Sequence, residues 1–423
     1  MRVRIHRGCR EIGGSCVEVR AAGARLVLDV GKPLWAGWDE QVPLPGVPGL
    51  ADGDDPSLLG VLISHPHLDH YGLLDQVSDR VPVYAGRAAV EIVNASSFFS
   101  PASVSIRPSG YLADREPIRL GPFTVTPWLV DHSGYDSYAL LVEADGRRLF
   151  YTGDLRGHGR KAGLFRRLLH QPPQDVDVLL MEGTHVRGNT DVPQAELPEE
   201  PACSEADVER DLATTLRNIS GLGLIVSSAQ NIDRLVTVYR AARRAGRTLV
   251  VDLYTATIAQ ATGRGTIPQP GFPAYGVSLP NRQRRLVMTS QEFTRTDAVR
   301  RWRVYPEDIA AHPERYVLLT GSSTVPEVLR SGALDGGAVV WSLWPGYLRE
   351  PSGQRLRAAL SVASVPLAIH HASGHASVAD LGKLVHAIKP DRLVPIHTEG
   401  ADHYAQLFAG LVEQHHDGEW WAV

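Results

Sequence analysis

The chain has 423 residues, of which 43% are hydrophobic and 21% charged, and a formal net charge of -4. That is the length of two domains, or of one with a large insertion, and the composition of a globular protein able to bury a sizeable core. No apolar run of bilayer-spanning length occurs, residues 1–7 lack the apolar stretch of a signal peptide, and Cys9, Cys16 and Cys203 build no disulfide framework, so a cytoplasmic protein without membrane attachment is expected.

In chain order, the first forty residues predict two or three strands. Residues 15–20 alternate apolar and polar, 25–30 form a second run, and a glycine-containing turn joins them. Asp29 lies inside that second run. A carboxylate buried there needs a partner, and we assign it to fixing a ligand histidine or the loop that carries one. Residues 32–56, rich in Pro, Gly and Trp, predict an irregular surface loop.

An apolar strand at 58–63 then runs into Ser64-His65-Pro66-His67-Leu68-Asp69-His70-Tyr71, with a helix expected at 72–77. Imidazole nitrogen and carboxylate oxygen are ligands that zinc and manganese accept. One His or one Asp-His pair is ordinarily a surface or capping feature. Three His and an Asp this closely spaced predict a metal site. The ligands outnumber those one tetrahedral ion needs once others arrive from elsewhere, so two divalent ions are expected.

A strand at 81–84 and a helix at 86–99 follow. The strands at 123–130, 148–151 and 176–181 lead to Asp131-His132, to Asp154 and to Glu182. Sites in α/β folds collect at the carboxyl ends of strands. His132 and Asp154 are therefore candidate ligands, Asp154 as a carboxylate able to bridge two cations.

Composition shifts near residue 188, and Pro193, Pro198 and Pro201 among the acids Glu196, Glu199 and Glu200 predict a loop at 191–203. Helices at 206–219 and 231–245 alternate with strands at 222–227 and 248–253, followed by a Gly/Pro loop at 263–280 and strand-turn units at 315–323 and 338–342. This order predicts a parallel sheet with right-handed crossovers. Strands at 365–369 and 391–396 then lead to His375 and His397, separated by a helix at 377–388. A helix at 402–414 and a strand at 419–423 close the chain. Two further histidines at strand ends, so far from the first cluster, predict one site split around an inserted domain. His415 and His416 read as solvated. Segments 156–161, 240–247, 281–285 and 300–303 are the most basic, suited to phosphates, with Trp302 available to stack on a base.

The set His65-Pro66-His67-Leu68-Asp69-His70, His132 and Asp154 resembles the metal motifs of the metallo-β-lactamase superfamily. Glu182, His375 and His397 resemble the extra motifs of its β-CASP branch, which includes ribonuclease J-like and polyadenylation-type nucleases. Ser228-Ala229-Gln230-Asn231, Thr320-Gly321-Ser322-Ser323 and Ala372-Ser373-Gly374-His375 are also similar to stretches of that branch. The resemblance implies an α/β fold: an αββα metallo-β-lactamase sandwich from residues 1–190 and 361–423, with a β-CASP cap inserted at 191–360. It implies that His65, His67, His132 and Asp154 hold one ion and Asp69, His70, Asp154 and His397 the other, with zinc expected and manganese an alternative. The implied reaction is hydrolysis of single-stranded RNA, endo- or 5′-exonucleolytic, by a hydroxide activated between the two metals. His375 would be the general acid, oriented by Glu182, with Asp69 and Asp29 completing the catalytic set. Ser228, Asn231, Ser322 and Ser323 would bind a substrate phosphate. A DNA nuclease, a small-molecule hydrolase and a non-catalytic nucleic-acid scaffold are the alternatives. His397 favours RNA, because in this branch histidine at the last motif accompanies RNA processing. Homo-oligomer and larger complex both stay open.

Overall fold

The computed structural model describes residues 1–37, 40–100, 104–186 and 203–423. The chain forms two compact units, Met1–Pro201 with Gly374–Val423, and Ala202–Ser373.

The first unit carries two sheets. One runs Trp420–Ala422, Arg2–Arg7, Cys16–Ala21, Ala24–Leu28, Leu58–Leu62, Val83–Gly86, Gly110–Leu112. The other runs Arg392–Ile396, Val178–Glu182, Arg147–Tyr151, Ser137–Ala144, Phe123–Val130, Ile118–Leu120. The two-residue period of a strand explains how they meet. Val17, Val19 and Ala21 turn inward and join Leu140, Val142 and Ala144 in one core between the sheets. Cys16 turns outward, into a second core with Val90 and Val93 of the helix Arg87–Ser97. On the far side, helices Ala162–His170, Val378–Ile388 and Ala401–Leu407 lay Phe165, Leu381, Leu384 and Tyr404 on the second sheet. Each such Leu, Val or Phe contributes about 1.5–3 kcal/mol by leaving water. The layers are helix, sheet, sheet, helix.

The second unit is a parallel sheet ordered Tyr275–Ser278, Thr248–Asp252, Tyr316–Thr320, Gly223–Val226, Ala338–Trp341, Leu367–Ile369, with helices between successive strands. Its first helix, Glu205–Asn218, starts at a capping box between Ser204 and Asp207. Buried Arg234 grips Glu205 through Nε at 3.1 Å and Nη2 at 2.9 Å.

Several expectations change. The return to the first unit comes after residue 373 rather than 360, because Leu367–Ile369 pairs with Ala338–Trp341. The helix expected at 72–77 is instead a single turn at Leu68–Tyr71 and a 3₁₀ turn at Leu74–Gln76. The loop at 263–280 contains the strand Tyr275–Ser278. The helix expected at 402–414 ends at Leu407. His415 is buried rather than solvated, stacked on Trp421 at 4.4 Å and facing Glu413 at 3.0 Å. Most of the loop expected at 191–203 lies outside the described residues. Among the described residues, no helix is long and apolar enough to cross a membrane.

Candidate metal centre

The site lies at strand ends of the first unit. The strand Leu58–Leu62 delivers Ser64, His65 and His67, and the turn after them carries Asp69 and His70. Gly31 packs so closely on the Asp69 carbonyl that any side chain at 31 would collide with it. Strand Phe123–Val130 ends just before His132, Arg147–Tyr151 before Asp154, Val178–Glu182 in Glu182 itself, and Arg392–Ile396 before His397.

Asp154 is the centre. His65, His67, His132 and Asp154 offer ligand atoms within 4.8 Å of one another; so do Asp69, His70, Asp154 and His397, and so do Asp154, Glu182, His375 and His397. The Oδ2 atom of Asp154 is 3.2 Å from His70 Nε2 and 3.5 Å from His65 Nε2, and Oδ1 is 3.7 Å from His397 Nδ1. His397 Nε2 is 3.2 Å from Asp69 Oδ2. The backbone is left-handed at Asp29, with φ 60°, and at His397, with φ 53°. Non-glycine residues held there store about 1–3 kcal/mol of strain, which tends to collect at functional sites.

Whether a cation fits can be judged from the orphaned atoms. His65 Nε2, His70 Nε2 and both carboxylate oxygens of Asp154 are buried without a hydrogen-bond partner among the described residues. Leaving such atoms unpaired costs about 1–3 kcal/mol each. They converge, and they are the donor types a divalent cation takes. Burial pushes His65 and His132 well below the ordinary histidine range, and His67 to about 4. Those three imidazoles are neutral at physiological pH, the form that binds metal. At His70 burial acts the same way, but the Asp154, Asp29 and Asp69 carboxylates outweigh it and hold a proton on the ring. A divalent cation would displace that proton.

Neighbours fix the ring orientations. His70 Nδ1 donates to Asp29 Oδ2 at 2.8 Å, and Asp29 also accepts from Ser64 N, Ser64 Oγ and Tyr151 Oη, each at 2.7 Å. His132 Nδ1 donates to the Gly374 carbonyl at 2.6 Å. The loop behind His132 is tied by Asp131, which accepts from Gly159 N at 2.8 Å and faces the buried Arg156. Such partners orient a ligand and raise its basicity. Glu182 Oε1 accepts from Leu155 N at 2.9 Å, and Oε2 meets His375 Nδ1 at 3.0 Å. Thr184 Oγ1 lies 3.1 Å from His375 Nδ1 and 3.0 Å from His397 Nδ1. Burial alone would lower His375; Glu182 and Asp154 outweigh it and raise it to about 9.

The structure thus brings His65, His67, Asp69, His70, His132, Asp154, Glu182, His375 and His397 together, with Asp29 directly behind His70. Ser64, Tyr151 and Thr184 also touch these residues and carry no sequence signal of their own, while Gly374, in a stretch already singled out, adds its carbonyl behind His132. Ser228, Asn231, Ser322 and Ser323 belong to the second unit, after the paired strands Gly223–Val226 and Tyr316–Thr320. The Asn231 side chain is already engaged, capping the helix Ile232–Arg244 by accepting from Arg234 N at 2.9 Å. Two expected phosphate contacts are withdrawn: Arg156 is buried against Asp131, and Arg247 donates to the carbonyls of Ile219 and Gly221.

Residues 34–197 match the beta-lactamase superfamily domain, and residues 367–417 match the Zn-dependent metallo-hydrolase RNA specificity domain. Ribonuclease J of Sinorhizobium meliloti is 24% identical over 395 residues, covering 87% of this chain and 62% of that protein. The chain belongs to the β-CASP branch of the metallo-β-lactamase superfamily. Ribonuclease TTHA0252 of Thermus thermophilus is 32% identical over 209 residues, covering 44% of each. A solved protein of unknown function from Enterococcus faecalis V583 shares the fold with a TM-score of 0.77 at 20% identity, covering 100% of this β-CASP chain and 99% of that one. The chain spans less than two thirds of the length of these curated ribonucleases.

Proposed function

We propose that this β-CASP chain is a metal-dependent ribonuclease that hydrolyses phosphodiester bonds of single-stranded RNA. One observation carries the reading: Asp154 sits in both metal-ligand groups and also in the group that contains the Glu182–His375 pair. Ligands and a poised proton donor thus converge on one carboxylate, as hydrolysis of a phosphodiester requires. The similarity to ribonuclease J along most of the chain supports RNA as the polymer.

In this reading His65, His67, His132 and Asp154 hold one ion and Asp69, His70, Asp154 and His397 the other. Zinc suits the histidine-rich donors, with manganese the alternative. When bound there, two divalent cations would supply an acidified water as nucleophile and positive charge against the phosphodiester oxygens. Asp29 keeps His70 in the tautomer that presents Nε2 to the site. Glu182 orients the His375 ring by accepting from Nδ1, so that the Nε2 proton points away from it. His375 then gives that proton to the leaving 3′-oxygen. Ser228, Asn231, Ser322 and Ser323 remain our candidates for the substrate phosphate. A second reading, in which His375 is itself a ligand, has one observation in its favour: His375 belongs to the third convergent group.

The test is cleavage of 5′-labelled and 3′-labelled single-stranded RNA, with matched DNA, in zinc and in manganese, beside Asp69→Ala. Metal-dependent RNA products that vanish in the variant support the proposal, and the two labels separate exonucleolytic from endonucleolytic attack. No cleavage of RNA by metal-replete protein would refute it.

A further inference from the structure

We propose that Leu34 and Trp35 form a shelf beside the metal-ligand cluster on which one base of the RNA stacks. This rests on the ribonuclease reading above. Both side chains are large and apolar, yet Leu34 is 60% and Trp35 66% exposed. A well-packed fold ordinarily takes an indole out of water, and adjoining exposed apolar side chains mark a binding surface more often than scattered ones do.

The shelf is held in place. The Trp35 indole N–H donates to Glu11 Oε2 at 3.2 Å. Pro33 pairs with Gly13 in an isolated bridge, Gly31 N donates to the Ser15 carbonyl at 3.0 Å, and Lys32 N donates to the Leu68 carbonyl at 2.9 Å. A preordered aromatic loses little entropy on binding.

It is also close to the reacting centre. Gly13 lies between Leu34 and Asp69: a Cβ at position 13 would be 2.7 Å from Leu34 Cγ and 3.0 Å from Asp69 Cβ. Glu11, which anchors the indole, lies within electrostatic reach of His397. The shelf therefore borders the side of the cluster formed by Asp69 and His397.

Every base has a π-face, so stacking tolerates any sequence. Here the one polar atom of the indole is committed to Glu11, leaving no donor to read a base edge. The shelf would grip a base by its area, purine above pyrimidine, without reading its identity.

The experiment uses the full-length, metal-loaded protein with a short, cleavage-resistant phosphorothioate RNA, comparing wild type, Trp35→Ala and Trp35→Phe. Trp35→Ala should weaken binding about 5- to 150-fold, and Trp35→Phe should restore most of it. On cleavable RNA the loss should fall on KM more than on kcat. 2-Aminopurine walked along the strand should be quenched at one position in the wild type and not in Trp35→Ala. Equal affinity of wild type and Trp35→Ala would overturn the shelf while leaving the ribonuclease reading intact. So would lower metal content in Trp35→Ala, which would make the side chain a prop for Asp69. A change in oligomeric state without a change in RNA affinity would overturn it in favour of a protein interface. Failure of the wild type both to bind and to cleave RNA would overturn the underlying reading as well.

Discussion

In the proposed mechanism two single residues divide the chemistry of the site, and they predict different failures. Asp154 is buried with two unpaired oxygens facing ligands of both groups. Asp154→Ala should remove metal from both positions, read as metal content per chain by mass spectrometry; retention of two ions would refute a bridging role. His375 is held by Glu182 and Thr184. His375→Ala should retain both metals and lose cleavage by about 10²- to 10⁴-fold, the usual contribution of a positioned proton donor. Loss of metal together with activity would make His375 a ligand. The histidines and acids of the site were legible because spacing and strand ends marked them. Ser64, Tyr151 and Thr184 were not, since a hydroxyl that orients a neighbour looks in sequence like any other hydroxyl.

At the scale of elements, legibility followed the physical signal. Strands that end in a His or an acid could be read, while Ser137–Ala144 could not, because a strand buried along nearly its whole length loses the alternation that marks a half-exposed one. The helix from Ala401 stops at Leu407 because the next residue leaves helical backbone and Gly410 is left-handed, with φ 82°. A charge inside a strand poses a different question. Glu18 is buried on the outward side of Cys16–Ala21, where it accepts from His6 and from Arg25, each at 2.8 Å. Burial would raise its carboxyl, but those two hydrogen bonds outweigh it and hold the group below the usual range. A depressed carboxyl stabilises the fold above its unfolded value, about pH 4.3, and the benefit disappears as pH falls through the folded value. Glu18→Gln should cost about 1–3 kcal/mol at neutral pH. Its melting temperature should converge on that of the wild type as pH falls below about 4; a constant gap down to pH ~2 would refute the assignment.

At the scale of the whole molecule, the two-unit plan was readable from the shift in composition and from histidines returning near the end of the chain. The crossing point was not, since three apolar residues such as Leu367–Ile369 suit either sheet until pairing decides. The plan has a thermodynamic consequence. Every candidate ligand lies in the first unit, although the ligands come from residues 65 to 397 of the chain. Cations bound there cross-link loops at the ends of four different strands and favour only the folded form of that unit. At a free metal concentration about 100-fold above Kd, binding adds roughly 2.7 kcal/mol. Removal by a chelator should therefore speed exchange of amides that open with the whole unit by about 100-fold. Hydrogen exchange read by mass spectrometry should locate that loss in Leu58–Leu62, Phe123–Val130, Arg147–Tyr151 and Arg392–Ile396. Gly223–Val226 and Tyr316–Thr320, in the second unit, should keep their protection. An equal loss in both units would mean that metal binding does not act through the first unit alone.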